Sequence, residues 1–230
     1  MTKQANARAE QVYQAVKQSI FNFELIPGDR FTEQEIAQRH GVSRTPVRDA
    51  LYRLEREGYL QVAFRSGWNV RPLDFKRFGE LYDLRIVLEL AAVTRLCEAG
   101  DVAKLDALRE IWCVPVTDRI EEGSEVHALD EAFHQGLIIA TGNMEMARVH
   151  REVTEKIRII RRLDFTAEKR IQATYDEHQH ILDLLRRRKA TEASIALKGH
   201  IEASKAEVQK ITLHMLHEAR ERALEELAES

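Results

Sequence analysis

Residues 43–58 read SRTPVRDALYRLEREG and decide how the N-terminal third of the chain is interpreted. Apolar side chains recur in this stretch at helical spacing: Val47, Leu51 and Leu54. That periodicity predicts a short helix with one buried face. Ser43 or Thr45 can cap the helix, and either choice leaves Pro46 in the first turn, where its missing N–H removes no intrahelical bond. Gly58 is placed to end the helix.

A second helix and a sharp turn are expected immediately before this stretch. Thr32 can cap a helix that runs from Glu33 to His40, and Gly41 supplies the turn. Two helices joined by a short glycine turn form the helix-turn-helix, whose second helix enters the major groove of DNA. The outer face of that second helix is basic and carries Arg44, Arg48 and Arg53. A basic face alone fits a small helical core with solvated arginines equally well.

The chain that follows alternates as a β-hairpin does. Residues 60–64 and 68–70 each alternate between apolar and other side chains, and Ser66-Gly67 is a turn signal between them. Arg65 falls near the tip of this hairpin. The side chains expected to share one face of the first strand are Leu60, Val62 and Phe64. A helix-turn-helix followed by a hairpin is a winged helix, and this order favours DNA binding over a solvated surface.

Composition limits the class of protein. The chain has 230 residues, enough for about two domains, and its 44% hydrophobic and 32% charged residues fit a packed, helix-rich protein. No apolar run approaches the ~20 residues that span a bilayer, and the N-terminus lacks the apolar core of a signal peptide. Cys97 and Cys113 form no C-x-x-C pair, so neither a disulfide framework nor a zinc ribbon is indicated. We expect a cytoplasmic, nucleoid-associated protein with no membrane partner.

Charge is distributed unevenly along the chain. Residues 1–72 contain 11 Lys+Arg and 8 Asp+Glu, a net charge of +3, whereas residues 73–230 contain 24 and 30, a net charge of −6. This asymmetry places a nucleic-acid face in the first third. Because the charge is modest, affinity should depend on dimerisation and base contacts as well as on phosphate attraction.

The rest of the chain is predicted to be helical almost throughout. The expected helices span 75–99, 101–113, 125–140, 144–163, 167–188 and 191–227. The fold is therefore expected to be mainly α, with a winged helix-turn-helix domain over residues 1–72. Residues 73–230 are expected to form an all-α antiparallel bundle of about six helices.

Four side chains of the predicted bundle could bind a metal. Asp130 and His134 are four residues apart, so they meet on one helix face. His178 and His200 lie beside apolar positions of two other helices, which would direct them into the bundle. Imidazole with carboxylate suits Zn, Ni, Fe or Mn better than Ca or Mg. Spacing alone leaves open the alternative of four unconnected polar residues.

These patterns together resemble a known family. The stretch EIAQRHGVSRTPVRDALYRLEREGYL resembles the winged-helix domain of GntR-type bacterial transcription regulators. Downstream, LYDLRIVLEL, DEAFH, ATGN, EHQHIL and GHIEASK resemble the helical effector domain of the FadR-like branch, called FCD. The two resemblances cover the chain from about residue 8 to 215. They imply a homodimeric regulator, usually a repressor, that binds an inverted-repeat operator in double-stranded DNA and is released by a small carboxylate effector.

The resemblance also implies roles for residues on the DNA side. Arg44, Thr45 and Arg48 fall where the family contacts the operator, and Gly67 falls at its wing turn. The wing of this chain departs from the family's basic–glycine pair, because its basic residue, Arg65, comes one step earlier.

In the second domain, the resemblance places Asp130, His134, His178 and His200 on the family's metal-ligand positions, with Zn or Ni favoured and Fe or Mn compatible. Arg85 matches an arginine that often faces the effector cavity. Asn143 is a further candidate for effector binding.

Two other functions compete with this one. Glu131 and His134 form an E-x-x-H motif, which di-iron bundle enzymes use twice, but the residue three before His178 is Tyr175 and supplies no second copy. We therefore expect no enzymatic activity. The second alternative is a metal sensor whose cation is itself the signal.

Overall fold

The computed structural model of the protein describes residues 3–63, 67–99, 102–161, 168–208, 210 and 213–228. It divides into two compact units, Met1–Asp74 with Thr212–Ser230, and Phe75–Ile211. The first boundary lies two residues beyond the predicted one. The second unit ends at Ile211 and is therefore shorter than the predicted domain of residues 73–230, because the C-terminal helix groups with the N-terminal unit.

The N-terminal unit contains the expected helix-turn-helix. Its helices are α1 (Lys3–Phe21), α2 (Glu33–His40) and α3 (Arg44–Glu57). Thr32 caps α2 through a capping box in which Thr32 and Glu35 bond each other's backbone N–H. Gly41 (φ 60°) and Gly58 (φ 91°) end α2 and α3 in the left-handed conformation that glycine adopts without strain. The N-cap of α3 is Ser43, although its side chain makes no capping hydrogen bond.

A small antiparallel sheet completes the winged helix. Its strands are β1 (Arg30–Phe31), β2 (Leu60–Ala63) and β3 (Gly67–Val70), in the spatial order β1-β3-β2. The prediction of a two-stranded hairpin was incomplete, because the loop before α2 adds β1 as a third strand beside β3. Leu60 is fully buried, whereas Val62, two residues along the same strand, is 55% exposed, and Phe64 lies outside the described residues. Trp68 and Val70 are buried as expected.

One more helix, α10 (Leu213–Ala228), belongs to the N-terminal unit. Its Arg220 pairs with Asp29 at 3.1 Å, and its Leu216 is buried. The predicted single helix over residues 191–227 was therefore wrong. That stretch contains two helices, the first of which ends at Val208, and Lys210 beyond it is a turn residue whose N–H bonds back to Glu207 O. Since no glycine or proline marks the break, local sequence carries no signal for it.

The second unit is all-α, as predicted. Its α-helices are α4 (Phe75–Ala99), α5 (Asp106–Trp112), α6 (Gly123–Ala140), α7 (Met144–Arg161), α8 (Glu168–Arg186) and α9 (Ala190–Val208). Helix α4 packs against α6, α7, α8 and α9, so it lies at the centre of the unit. Fully buried side chains of this core include Tyr82, Trp112, Phe133, Leu137, Ile157 and Ile201. Within the described residues, every helix is too short or too polar to cross a membrane.

Candidate metal centre and nucleic-acid interface

The structure brings the four predicted metal-binding side chains together inside the helical unit. Asp130 and His134 come from α6, His178 from α8 and His200 from α9. All four are buried, with at most 5% of any residue exposed. One ligand atom from each lies within 4.8 Å of the other three. Sequence spacing could establish only the Asp130–His134 pair, and the fold supplies the other two.

The separations between these atoms match a metal coordination shell. The Nε2 atom of His200 lies 3.1 Å from that of His134 and 3.3 Å from that of His178. The Oδ1 atom of Asp130 lies 3.3 to 3.8 Å from the three Nε2 atoms. Tetrahedral ligands bonded at 2.0–2.1 Å are about 3.3 Å apart. The donor set therefore has the size and chemistry of a site for a divalent transition ion.

Hydrogen bonding behind two of the histidines explains why a cation suits the cluster. His134 Nδ1 lies 2.6 Å from Glu89 Oε2, and His200 Nδ1 lies 2.5 Å from Glu177 Oε2. Ionised carboxylates only accept, so each ring proton sits on Nδ1 and each Nε2 presents a lone pair. Two lone pairs 3.1 Å apart cannot hydrogen-bond each other, whereas a shared cation would stabilise both. Metal-ligating histidines in general have a carboxylate behind them.

Glu89 of α4 connects this cluster to two further side chains. It is fully buried, and its Oε1 accepts from Arg85 Nε at 2.6 Å and lies 2.9 Å from His150 Nε2. His150, on α7, also contacts the Oε1 of Gln135 through its Nδ1 at 2.9 Å. The Glu89 carboxylate of α4 therefore connects His134 of α6, a candidate metal ligand, with His150 of α7.

Asp130 and His200 are supported by arginines. Arg161 donates from Nη2 to Asp130 Oδ2, which leaves Oδ1 directed at the histidines. Arg170 donates from Nη1 to Glu177 Oε2 at 3.1 Å, and its Nη2 lies 3.4 Å from His200 Nδ1. Arg161 thus orients Asp130, and Glu177, which is itself bound by Arg170, orients His200.

His178 is oriented by aromatic rings. Its imidazole stacks on Phe133 with ring centroids 3.6 Å apart and planes 10° from parallel. Trp112 meets the same imidazole edge-to-face at 4.2 Å. The two contacts fix the direction of His178 Nε2 without a carboxylate.

Burial sets the protonation of these groups. Desolvation lowers the pKa of His134 and lowers that of His178 well below its ordinary value. Desolvation also lowers the pKa of His200 to about 3, and the nearby His134 and Arg170 act in the same direction. Burial raises the pKa of Glu89, but the charge of Arg85 and the hydrogen bonds from His134 and His150 outweigh it and hold that pKa well below its usual range. At neutral pH the cluster therefore presents neutral imidazoles backed by an ionised carboxylate, the state that binds a metal.

Of the two predicted effector-binding residues, the structure brings Arg85 to the cluster and engages Asn143 elsewhere. Arg85 is 1% exposed and reaches the cluster through Glu89. Asn143 precedes α7, and its Oδ1 accepts from the backbone N of Met146 at 3.1 Å. Asn143 thus acts as a helix cap in this structure.

The predicted recognition helix presents its basic side chains to solvent. Arg44, Thr45 and Arg48 all lie on the exposed face of the N-terminal half of α3, and the arginine side chains are 63% and 56% exposed. Tyr52 continues this face one turn further along and packs edge-to-face on Trp68 of β3. Tyr52 was not among the predicted contacts, and its helical spacing from Arg48 is the only sequence signal for it.

Glu33 of α2 holds the recognition arginines in place. Arg48 donates from Nε and Nη2 to the two carboxylate oxygens of Glu33, at 3.0 and 2.9 Å. Arg44 Nε lies 3.7 Å from Glu33 Oε2. The hydrogen bond from Arg48 lowers the pKa of Glu33, so the carboxylate is ionised at neutral pH. The fork of Arg48 is therefore presented at a fixed position.

The third arginine of α3 has a structural role. Arg53 donates to Glu10 of α1 at 2.6 Å and to Glu57 at 3.3 Å, and its guanidinium lies 3.6 Å from the ring centre of Tyr13. These contacts fasten α3 to α1. Gly67 is the first residue of β3 and pairs with Ala63, as expected for the wing. Arg65 lies outside the described residues.

Glu89, His150 and Arg161 are buried polar residues of the centre that the spacing does not predict. His150 is most simply interpreted from sequence as a surface or packing residue, yet it is fully buried against Glu89. The available signal was weak: Glu89 follows Arg85 by one helical turn within an otherwise apolar stretch of α4. Such a pair is usually solvent-exposed, and only the fold shows that it is internal.

Comparison with known proteins agrees with this geometry. The family model described as "Bacterial regulatory proteins, gntR family" matches residues 8–70, and the model described as "FCD domain" matches residues 80–203. The chain is 32% identical over 181 residues to the Nta operon transcriptional regulator of Aminobacter aminovorans, covering 79% of this chain and 85% of that protein. It is 29% identical over 215 residues to the HTH-type transcriptional regulator YdhC of Bacillus subtilis, covering 92% and 93% of the two chains. The solved structure of E. coli McbR/YncC has a TM-score of 0.66 at 18% identity, covering 88% of this chain and 97% of that one, which is a likeness of fold.

Proposed function

Because the chain belongs to the gntR family of bacterial regulatory proteins and contains an FCD domain, we propose that it is a ligand-responsive repressor. It is a transcription regulator and not an enzyme, as family membership implies. The finer proposal is that a homodimer binds an inverted-repeat operator. A small carboxylate effector, bound near a metal in the helical unit, then releases the homodimer from the DNA.

The buried cluster of Asp130, His134, His178 and His200 is the observation that carries this proposal. We propose that these residues hold one divalent transition ion, with Zn or Ni favoured by the imidazoles. When bound, such an ion supplies a Lewis acid that takes a carboxylate oxygen. The guanidinium of Arg85 would pair with the same anion. The E-x-x-H alternative has no support here, because Glu131 is bound to Arg158 instead of joining the cluster.

On the DNA side, we propose that α3 enters the major groove. Arg44, Thr45 and Arg48 would contact base edges and phosphates, with Gly67 and Arg65 at the wing. Bidentate pairing of arginine with guanine suits the forked geometry in which Glu33 holds Arg48. The N-terminal unit would thus read DNA, and the helical unit would bind the effector and the second subunit.

Effector binding can weaken DNA binding only through a difference in affinity. The effector must bind the DNA-incompetent arrangement of the dimer more tightly, and the shift cannot exceed that difference. The cluster suits this task because its ligands come from α6, α8 and α9, while α4 supplies Glu89 and Arg85. An anion that engages the ion and Arg85 together would act on several helices at once.

The test begins with operator fragments selected from random DNA by the purified protein, whose metal content is measured by elemental analysis. Candidate organic acids are then titrated into the protein–DNA complex. His134→Ala and His178→Ala should retain operator binding, at least in part, yet fail to release DNA when effector is added. His180→Ala is the matched control, because His180 is exposed on the same helix as His178. Normal release of DNA by metal-free wild-type protein would contradict the role of the metal.

A further inference from the structure

Arg85 has hydrogen-bonding capacity that the described protein atoms do not use. It is 1% exposed, and its Nε is bonded to Glu89. Its Nη1 and Nη2 atoms are buried and have no hydrogen-bond partner within the described part of the chain. A buried guanidinium nitrogen without an acceptor costs free energy. These two nitrogens therefore indicate a place for an acceptor, and the positive charge favours an anion.

The charged side chains around the cluster cancel before any ion is added. Among the described residues in hydrogen-bonded contact with the cluster or with its supporting groups, three are carboxylates and three are arginines: Asp130, Glu89, Glu177, Arg85, Arg161 and Arg170. Each carboxylate is matched by an arginine that donates to it: Asp130 by Arg161, Glu89 by Arg85 and Glu177 by Arg170.

A divalent ion would then leave two uncompensated positive charges in the interior. Isolated buried charge is strongly unfavourable unless it is paired. A ligand with one carboxylate neutralises one of these charges, whereas a ligand with two carboxylates neutralises both. The two carboxylates would also have separate partners, since one would bind the ion and the other would accept hydrogen bonds from Nη1 and Nη2 of Arg85.

We infer that the effector of this protein is a dicarboxylate, with one carboxylate directed to the metal and the other to Nη1 and Nη2 of Arg85. This inference rests on the proposed function, because it requires a divalent ion at the cluster. It adds the chemical class of the effector and makes Arg85 the residue that selects for the second charge.

Matched pairs of acids test the inference by calorimetric titration of the metal-loaded protein. Succinate is compared with propionate, and malonate with acetate, so that each pair differs by one carboxylate. The dicarboxylate of at least one pair should bind about 10- to 100-fold more tightly than its monocarboxylate, as expected for a buried charge-assisted pair. Arg85→Met should remove most of this ratio and change monocarboxylate binding little. Arg85→Lys, which keeps the charge but not the fork, should retain part of it.

Controls separate this inference from the proposal on which it rests. Arg109→Met, which removes an arginine paired with Asp183, should leave the ratio unchanged. Elemental analysis and circular dichroism establish that each variant is loaded and folded. Equal binding of the two acids in both pairs by metal-loaded wild-type protein overturns the dicarboxylate inference. Tighter binding of inorganic phosphate than of either dicarboxylate also overturns it. Both results leave the proposed function standing. A wild-type protein that binds neither metal nor acid refutes both.

Discussion

At the scale of single residues, the recognition face is organised by a carboxylate. Glu33 accepts both hydrogen bonds of the Arg48 fork and lies near Arg44. When α3 meets DNA, each arginine must exchange this partner for a base or a phosphate. Since more than half of the Arg48 side chain is exposed, breaking the pair costs little. Glu33 therefore positions the arginines without obstructing them.

Removing either recognition arginine should weaken specific binding. A bidentate arginine–guanine pair discriminates by ~1–3 kcal/mol, so we expect Arg44→Ala and Arg48→Ala each to weaken operator binding by about 5- to 150-fold. The measurement is fluorescence anisotropy with selected operator at physiological salt. Arg56→Ala, which removes an exposed arginine from the far end of α3, is the control for loss of charge alone. Wild-type affinity in both recognition variants would exclude α3 as the reading element.

Glu89 should set the metal affinity through His134. In Glu89→Gln the ring proton of His134 loses its ionised acceptor, so the imidazole becomes less basic and less well oriented. Loss of such a supporting carboxylate typically weakens metal binding by about 10- to 100-fold, which competition with a chromophoric chelator would measure. Glu131→Gln is the matched control, since Glu131 follows Asp130 in sequence but pairs with Arg158. Equal metal affinity in Glu89→Gln and Glu131→Gln would show that Glu89 is only structural.

At the scale of elements, the cluster joins three helices through imidazoles whose pKa values are lowered by burial. The pKa of His200 is about 3, and those of His134 and His178 are lowered, whereas an unfolded histidine titrates near 6.5. Below pH 6.5 the unfolded chain therefore binds protons that the folded chain does not. Stability then falls as pH falls through 6.5.

This linkage gives a measurable pH dependence. Between pH 7.5 and pH 5.5, the metal-free protein should lose about 1 kcal/mol of unfolding free energy from His200 alone, and His134 and His178 should add to the loss. Urea denaturation of chelator-treated protein at the two pH values would measure the loss. Metal-free His200→Gln should lose about 1 kcal/mol less over the same interval. A free energy of unfolding that is constant over this range would mean that the histidines are not buried in the metal-free protein.

The elements differ in how far the sequence could predict them. Caps and glycines located α2 and α3 to within a residue, because Thr32 caps α2 with its own side chain and Gly41 and Gly58 end the two helices with their own backbone. Strand β1 has only two residues and depends on β3 for its hydrogen bonds, so no local pattern indicates it. The break between α9 and α10 is likewise unmarked, because it reflects packing of α10 with a distant part of the chain.

The residues of the metal cluster also differ in how far the sequence could predict them. Asp130 and His134 are visible as a pair at helical spacing, whereas the apolar neighbours of His178 and His200 only direct them into the bundle and no spacing shows that they converge on that pair. Glu89 was not predicted, since its role depends on where α4 packs against α6 and α7.

At the scale of the whole molecule, one winged helix with a regional charge of +3 should bind DNA weakly. Two linked copies gain from effective concentration, often by 10²–10⁴-fold, so we expect a homodimer to prefer an inverted repeat to a single half-site by about that factor. Sedimentation at micromolar concentration should show a species of about twice 26.6 kDa. A scrambled second half-site is the DNA control. A protein that sediments as a monomer and binds both DNAs equally would contradict the dimer.

The return of α10 to the N-terminal unit has a consequence for the order in which the protein is made. Domains generally fold as units while the ribosome synthesises them, the N-terminal one first. Here the first unit to be translated is discontinuous, and its final helix is translated only after the whole of α4 to α9. The helical unit can therefore complete its fold while the winged helix still lacks α10. A nascent chain would therefore complete its helical unit before its DNA-binding unit.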